Sequence, residues 1–497
     1  MKKTNMKTKY RWLVLLFLAF WACQNDDSPV DGGIEPLPEL TSGSANFSKY
    51  VALGNSLTAG YSDGALFRAS QQNSYPNILA QKFALIGGGS FTQPLMNDNF
   101  GGLALAGNRI IGPRLVTTGG APLPLESVIG PITVTTDIAL NNPTGPFNNM
   151  GVPGAKGYHL LAPGYGNIVN VSLGLANPYY VRMTGSSPNA TVLELAMAQS
   201  PSFFSLWIGN NDVLGYALSG GDGSNPITDQ TTFDAAFAAL VTTLTAGGAG
   251  GVVANIPYVT DIPHLTTVPY NPIPLDAPTA AAVNSAYAAY NNGLLQAEAF
   301  SFITAQERAA RTINFTASAT NAVVIEDESL TNLSGLGLPN YRQATANDLF
   351  VLPASSFIGT EAVPGNPLTV NGVAIPLADK WVLIPSEQAE IKNAIDNFNA
   401  TIQAVSSQAG LAYVDANNFL NILKTSGISS GDFIFTSNLV TGGMFSLDGV
   451  HLTSRGYAEV ANEFLKAIDA TYGSNFEASG NLLNVGDYPT NYSPLLQ

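Results

Sequence analysis

Tyr50-Val51-Ala52-Leu53 is a short apolar run that stops at Gly54, and Asn55-Ser56-Leu57 follow it at once. The run reads as a buried strand, Gly54 as a tight turn, and Ser56 as a residue held at the strand's carboxyl end. In open α/β sheets, sites assemble along that edge.

The pattern continues outward from this strand. A helix-like stretch near Pro76 to Leu85 follows it. Phe203 to Ile208 is a nearly all-apolar run, as expected for a strand covered on both faces. A helix over Phe233 to Ala246 leads through the glycine-rich segment Gly247 to Gly251 into a strand over Val252 to Ile256. A long Ala-rich helix is expected over Thr279 to Ala309. Ile391, Ile395, Phe398, Ile402 and Val405 mark one face of another, capped by Gly410 before the strand Leu411 to Val414. A last helix covers Ser454 to Tyr472. Alternating strands and helices predict a mostly parallel sheet between two helical layers, a three-layer α/β/α architecture.

Segments without periodicity interrupt this pattern. Residues 86–150 are rich in Gly and Pro and form most of an insertion over about 65–150; a second covers about 311–384. Residues 23–47 read as a flexible tether, 48–475 as the folded domain and 476–497 as a C-terminal tail. The 497 residues are 45% hydrophobic and 11% charged, enough apolar material for a large core.

General-base chemistry near neutral pH points first to the three histidines. His159 has no acid close by in sequence, and His264 lies in a Pro-rich loop beside Asp261. His451 follows Asp448 by three residues, a spacing that lets the carboxylate fold back onto the imidazole Nδ1–H and leaves Nε2 free. Asp415, at the end of its expected strand, is the second candidate acid.

Among serines, Ser62 and Ser429 each sit in a Gly-x-Ser-x-Gly pattern, but neither follows the buried strand that a nucleophile elbow requires. Ser56 does. No spacing of His and Cys suggests a zinc site, and the Gly247 to Gly251 segment follows a helix, the reverse of a phosphate loop. No metal and no cofactor is expected.

Four short blocks together resemble the SGNH (GDSL-like) hydrolase family: Gly54-Asn55-Ser56-Leu57, Asn149 to Gly154, Gly209-Asn210-Asn211-Asp212, and Asp448-Gly449-Val450-His451. They occur in the family's order over residues 48–475, with Asn55 where the family usually has Asp. The resemblance implies a flavodoxin-like SGNH fold and serine-dependent hydrolysis of a carboxylic ester through an acyl-enzyme. It implies Ser56 as nucleophile, His451 as base and Asp448 as its orienting acid. The oxyanion hole it implies is the N–H of Ser56, the N–H of Gly154 and the side-chain amide of Asn211. Gly151 is the alternative glycine. Lipid, glycan and other small-molecule esters are all open as substrates, a carbohydrate acetylesterase included. The competing class is a non-catalytic surface-binding protein that keeps the fold.

The amino terminus reads as an export signal. Five basic residues precede the apolar run Trp12 to Ala22, which is too short to span a bilayer comfortably. Cys23, the chain's single cysteine, directly follows and resembles the lipidation site of a bacterial lipoprotein. The expectation is a 1–22 signal, an acylated Cys23 and an outer-membrane or cell-surface location in a Gram-negative bacterium. The formal net charge is −15, and loss of residues 1–22 would carry it to about −15 − 5 = −20. That balance argues against nucleic acid as a partner and leaves membrane attachment to the acyl anchor.

Overall fold

The computed structural model describes residues 36–366 and 369–497. Cys23 and the expected signal segment lie outside the described residues. Five strands build the central sheet: β1 (Tyr50–Gly54), β2 (Asn149–Gly151), β3 (Phe203–Trp207), β4 (Gly250–Ala254) and β5 (Ala412–Val414). Their spatial order is β2-β1-β3-β4-β5, and every neighbouring pair is parallel. In this order the chain reverses its winding between β1 and β3, so the crevice at their carboxyl ends is the topological switch point.

The strands are apolar because helices cover both faces. β1 and β3 are buried along their whole length. The polar Ser205 in β3 is tolerated because its hydroxyl pairs with that of Tyr50 at 2.7 Å. Eight helices carry the rest of the argument: α1 (Ser56–Ala59), α2 (Tyr75–Ala84), α3 (Asn210–Leu218), α4 (Gln230–Thr245), α5 (Ala277–Ala299), α6 (Pro385–Gln408), α7 (Ala416–Thr425) and α8 (Ser454–Tyr472). On one face α2 and α8 meet through Tyr75 and Phe464, ring centroids 4.7 Å apart, both packed on Trp207. On the other, α4 and α6 meet through Phe233 stacked on Phe398 at 4.0 Å. The expected stop of α6 is real. Gly410, at φ 66°, donates to the Ser407 carbonyl and Leu411 to that of Ser406, a Schellman closure that turns the chain into β5.

The structure departs from the sequence reading in four places. The expected insertion 65–150 ends inside the sheet: Asn149–Gly151 is its edge strand, too short to show a period. The helix expected to reach Ala309 stops at Ala299. Ser301 adopts φ 61°, and Thr304 caps a separate helix, Ala305–Arg311, by accepting from the Glu307 N–H at 3.1 Å.

The described end of the tether, 36–47, is not free. Thr41 and Ser44 donate backbone N–H groups to Asn475 and Tyr472, and Ala45 and Phe47 are buried in the core. Nor is 476–497 a loose tail. Phe476, Val485 and Tyr492 are buried, and the fully buried Arg114 of the first insertion donates to the carbonyls of Asn99 at 2.8 Å and Ser493 at 2.7 Å. A buried guanidinium needs acceptors, and the tail's backbone supplies them. The second insertion is braced internally, by the Arg342 fork on the Asp348 carboxylate at 2.6 and 2.7 Å. Among the described residues no helix is long and apolar enough to cross a membrane.

Candidate active site

β1 delivers Ser56 to the switch point. Its approach depends on Gly54: a Cβ there would lie 2.1 Å from Thr58 Oγ1 and 2.4 Å from the Trp207 carbonyl oxygen, so no larger residue lets α1 start this close to β3. Asn55 caps α1 by accepting from the Leu57 N–H at 3.0 Å and donates its own amide to Asn210 Oδ1 at 3.0 Å. Asn at this position therefore bridges the carboxyl ends of β1 and β3, through a donor that an ionised Asp lacks.

The structure brings Ser56, His451 and Asp448 together. Ser56 Oγ lies 2.8 Å from His451 Nε2, and His451 Nδ1 lies 2.8 Å from Asp448 Oδ2. Asp448 also accepts from the N–H groups of Gly64 on Oδ2 and of Val450 and His451 on Oδ1, each at 2.8 Å. Burial by itself would raise this carboxyl, but the interaction with the His451 ring and the hydrogen bonds from the N–H groups of His451 and Val450 outweigh it and hold Asp448 well below the usual carboxylate range. An ionised Asp448 can only accept, so Nδ1 of His451 carries the hydrogen. Nε2 is then the acceptor that faces the Ser56 hydroxyl.

Of the two candidate acids, only Asp448 reaches His451. Asp415 is the cap of α7: it accepts from the Asn418 N–H at 3.0 Å and from Asn255 Nδ2 at 2.8 Å. Ser62 is buried with its backbone bridged to Ala65, and Ser429 lies in a hairpin between Ile428–Ser430 and Phe433–Phe435. Neither serine bonds a histidine.

The proposed oxyanion donors converge on the same crevice. Gly154 sits at φ 81°, a conformation open to glycine, with no neighbour closer than 3.8 Å to where its Cβ would be. Gly151 is buried in β2 and spends its N–H on Asn149 Oδ1 at 3.0 Å, which leaves Gly154 as the glycine facing the cleft. Among the described residues no protein acceptor pairs with the N–H of Ser56 or of Gly154. Asn211, near the start of α3, donates one amide hydrogen to the Ala155 carbonyl at 2.9 Å and keeps the other. Its neighbour Asp212 accepts from the Gly157 N–H at 2.9 Å, so two consecutive residues clamp the 154–157 loop. Burial raises Asp212 to about 6.

Several supporting residues were not legible in the sequence. His264 donates Nδ1–H to the Asp448 backbone carbonyl at 2.9 Å, and burial lowers its pKa. Tyr61 lies against the His451 ring at 4.5 Å between centroids. Behind Asp448, Ser446 donates to its Oδ1 at 3.2 Å and accepts from the backbone N–H of Asp63 at 3.0 Å. Asp63 itself is buried and raised by that burial to about 7. His159 is elsewhere, its Nδ1 accepting from the Lys156 N–H at 3.1 Å, and burial lowers it to about 4. The only signal for His264 was its residue type, because its partner lies 184 positions away.

Glu328, Asp379 and Glu387 bring carboxylate oxygens within 4.8 Å of one another, from positions too far apart to read as a motif. None of the three lines the cleft around Ser56.

The crevice can hold a carbonyl carbon beside a serine hydroxyl that already has a base, with unpaired N–H donors beside it. No family model, no curated protein and no solved structure matches the chain.

Proposed function

We propose that the chain is a serine ester hydrolase of the SGNH type, held at the cell envelope by an acylated Cys23. The observation that carries the reading is the relay from Ser56 Oγ through His451 to Asp448, both links 2.8 Å. It ends at the switch point of a sheet with flavodoxin-like strand order. In the reaction, Ser56 Oγ bonds to the ester carbonyl carbon while His451 Nε2 takes its proton. The C–O bond to the alcohol then breaks as His451 returns that proton to the leaving oxygen. Water repeats both steps on the acyl-enzyme, with its proton passing through the same nitrogen, and releases the carboxylic acid. Ser56 N–H, Gly154 N–H and the remaining Asn211 hydrogen stabilise the anionic oxygen in between. Neutral donors fixed by the fold do this without reorganising when charge develops.

The test is covalent labelling with a fluorophosphonate. The label should be found on Ser56; Ser56→Ala should abolish it and Ser62→Ala should not. Recovery of the label on Ser62 would refute the assignment, together with the roles of Gly154 and Asn211. The anchor rests on the sequence alone, and Cys23→Ser should move the protein from the membrane to the soluble fraction.

A further inference from the structure

Ser56 stands at the junction of two spaces. One is an open cleft, lined by Gly154, Tyr179, His264 and Asp448 among others. The other is a partly open, almost wholly apolar pocket of about 80 Å³, running away from Ser56 beside the loop that carries His451. Its polar lining (Asn55, Ser56, Asn210, Asn211 and His451) is the candidate site itself. The one charged side chain on its wall, Glu463, is paired with Lys466 at 2.8 Å.

The cavity follows the carboxyl edge of the sheet. It starts at Ser56 after β1, passes Trp207 of β3 and Pro257 after β4, and reaches Val414 of β5. Beyond β5 it is closed by Ala416, Leu420 and Leu423, the inner face of α7. A pocket whose walls are apolar favours an apolar occupant, since water there finds few partners.

We propose that this cavity holds the acyl chain of the substrate, and that the substrate class is an ester of an aliphatic acid of about eight to twelve carbons. The inference rests on the hydrolase reading of Ser56. The length follows from the sheet: three strand steps from β1 to β5, at ~4.8 Å each, span about 14 Å. Carbon–carbon bonds of ~1.5 Å at near-tetrahedral angles advance about 1.25 Å each, so roughly eleven bonds fill that span. The acyl carbon bonded to Ser56 Oγ sits at the mouth with its oxygen towards Gly154 and Asn211, and the alcohol leaves through the open cleft. An acetylated glycan would use the open cleft and leave the cavity empty.

The experiment compares p-nitrophenyl esters from acetate to hexadecanoate, each below its micellar concentration, with alkyl acetates of increasing alcohol length. Burying one methylene is worth about fourfold in kcat/KM (about 0.8 kcal/mol). From acetate to octanoate kcat/KM should rise at least about a hundredfold, then fall beyond about twelve carbons, with little dependence on alcohol length. Leu420→Trp, and independently Ala416→Phe, fill the α7 end and should cut the decanoate-to-butyrate ratio about tenfold or more, a ratio that scores only folded, active protein. Decanoate should also raise the melting temperature of the intact protein, and less so in either variant.

A flat or falling acyl profile with hydrolysis intact, or a preference that follows the alcohol, overturns the acyl cavity and leaves the hydrolase standing. Decanoate binding without hydrolysis or Ser56 labelling does the reverse.

Discussion

Asp448→Asn separates orientation of His451 from mere proximity of an acid. The side chain has two ways to sit. With its NH2 in the place of Oδ1, it faces the N–H groups of Val450 and His451 and the Ser446 hydroxyl, whereas Asp448 accepts from both N–H groups at 2.8 Å. With NH2 in the place of Oδ2, it faces one backbone N–H, that of Gly64, and the imidazole Nδ1. Each donor-to-donor contact in a buried site costs about 1–3 kcal/mol, so the second placement wins by roughly one such contact. It forces Nδ1 to accept, moves the ring hydrogen to Nε2, and leaves Ser56 without a base. kcat should therefore drop by up to about 10⁴-fold, with KM little changed. Asp415→Asn, which acts on a helix cap, should keep kcat within about tenfold of the parent chain. Ester hydrolysis under saturating substrate, with circular dichroism to verify folding, reads both. A kcat for Asp448→Asn within tenfold of the parent chain would refute the orienting role, and a larger loss from Asp415→Asn would transfer it.

Three further outcomes follow from the packing around the site. Gly54→Ala places a methyl group where Thr58 Oγ1 and the Trp207 carbonyl already stand, and should cost about 3 kcal/mol in chemical denaturation; a cost under about 0.5 would contradict the close approach. Arg114→Ala leaves the tail carbonyls it now satisfies without their donor, so stability should fall by about 3 kcal/mol and limited proteolysis should first cut after residue 480. Asp63 titrates at about 7 in the folded protein and at ~3.9 unfolded, so between these values only the native state holds the proton. Its contribution to stability is complete at pH below about 4 and declines as pH rises towards 7, by at most about 1.4 kcal/mol per pH unit. Asp63→Asn should flatten that decline; an unchanged pH profile would show that Asp63 ionises freely.

The elements whose environment repeats along the chain were legible from their residues alone. β1 and β3 are apolar at nearly every position because helices cover both faces, and α6 and α8 show their inner stripes for the same reason. Asp448 and His451 were legible as a pair because three residues of turn suffice to bring them together. What joins distant segments was not legible. The 2.8 Å contact of Ser56 with His451 closes across 395 positions, and the support of Asp448 by Gly64 and His264 across 384 and 184. β2 was hidden because three residues carry no period, and the packed tail because Arg114 and its carbonyl acceptors reveal themselves only once they meet. Local periodicity records which face of an element is buried, but not which neighbour buries it. That Asp415 is spent on the cap of α7, that Gly151 gives its N–H to Asn149, and that an apolar pocket lies beside Ser56 became visible only once the sheet order set β1 next to β3 and α7 beyond β5.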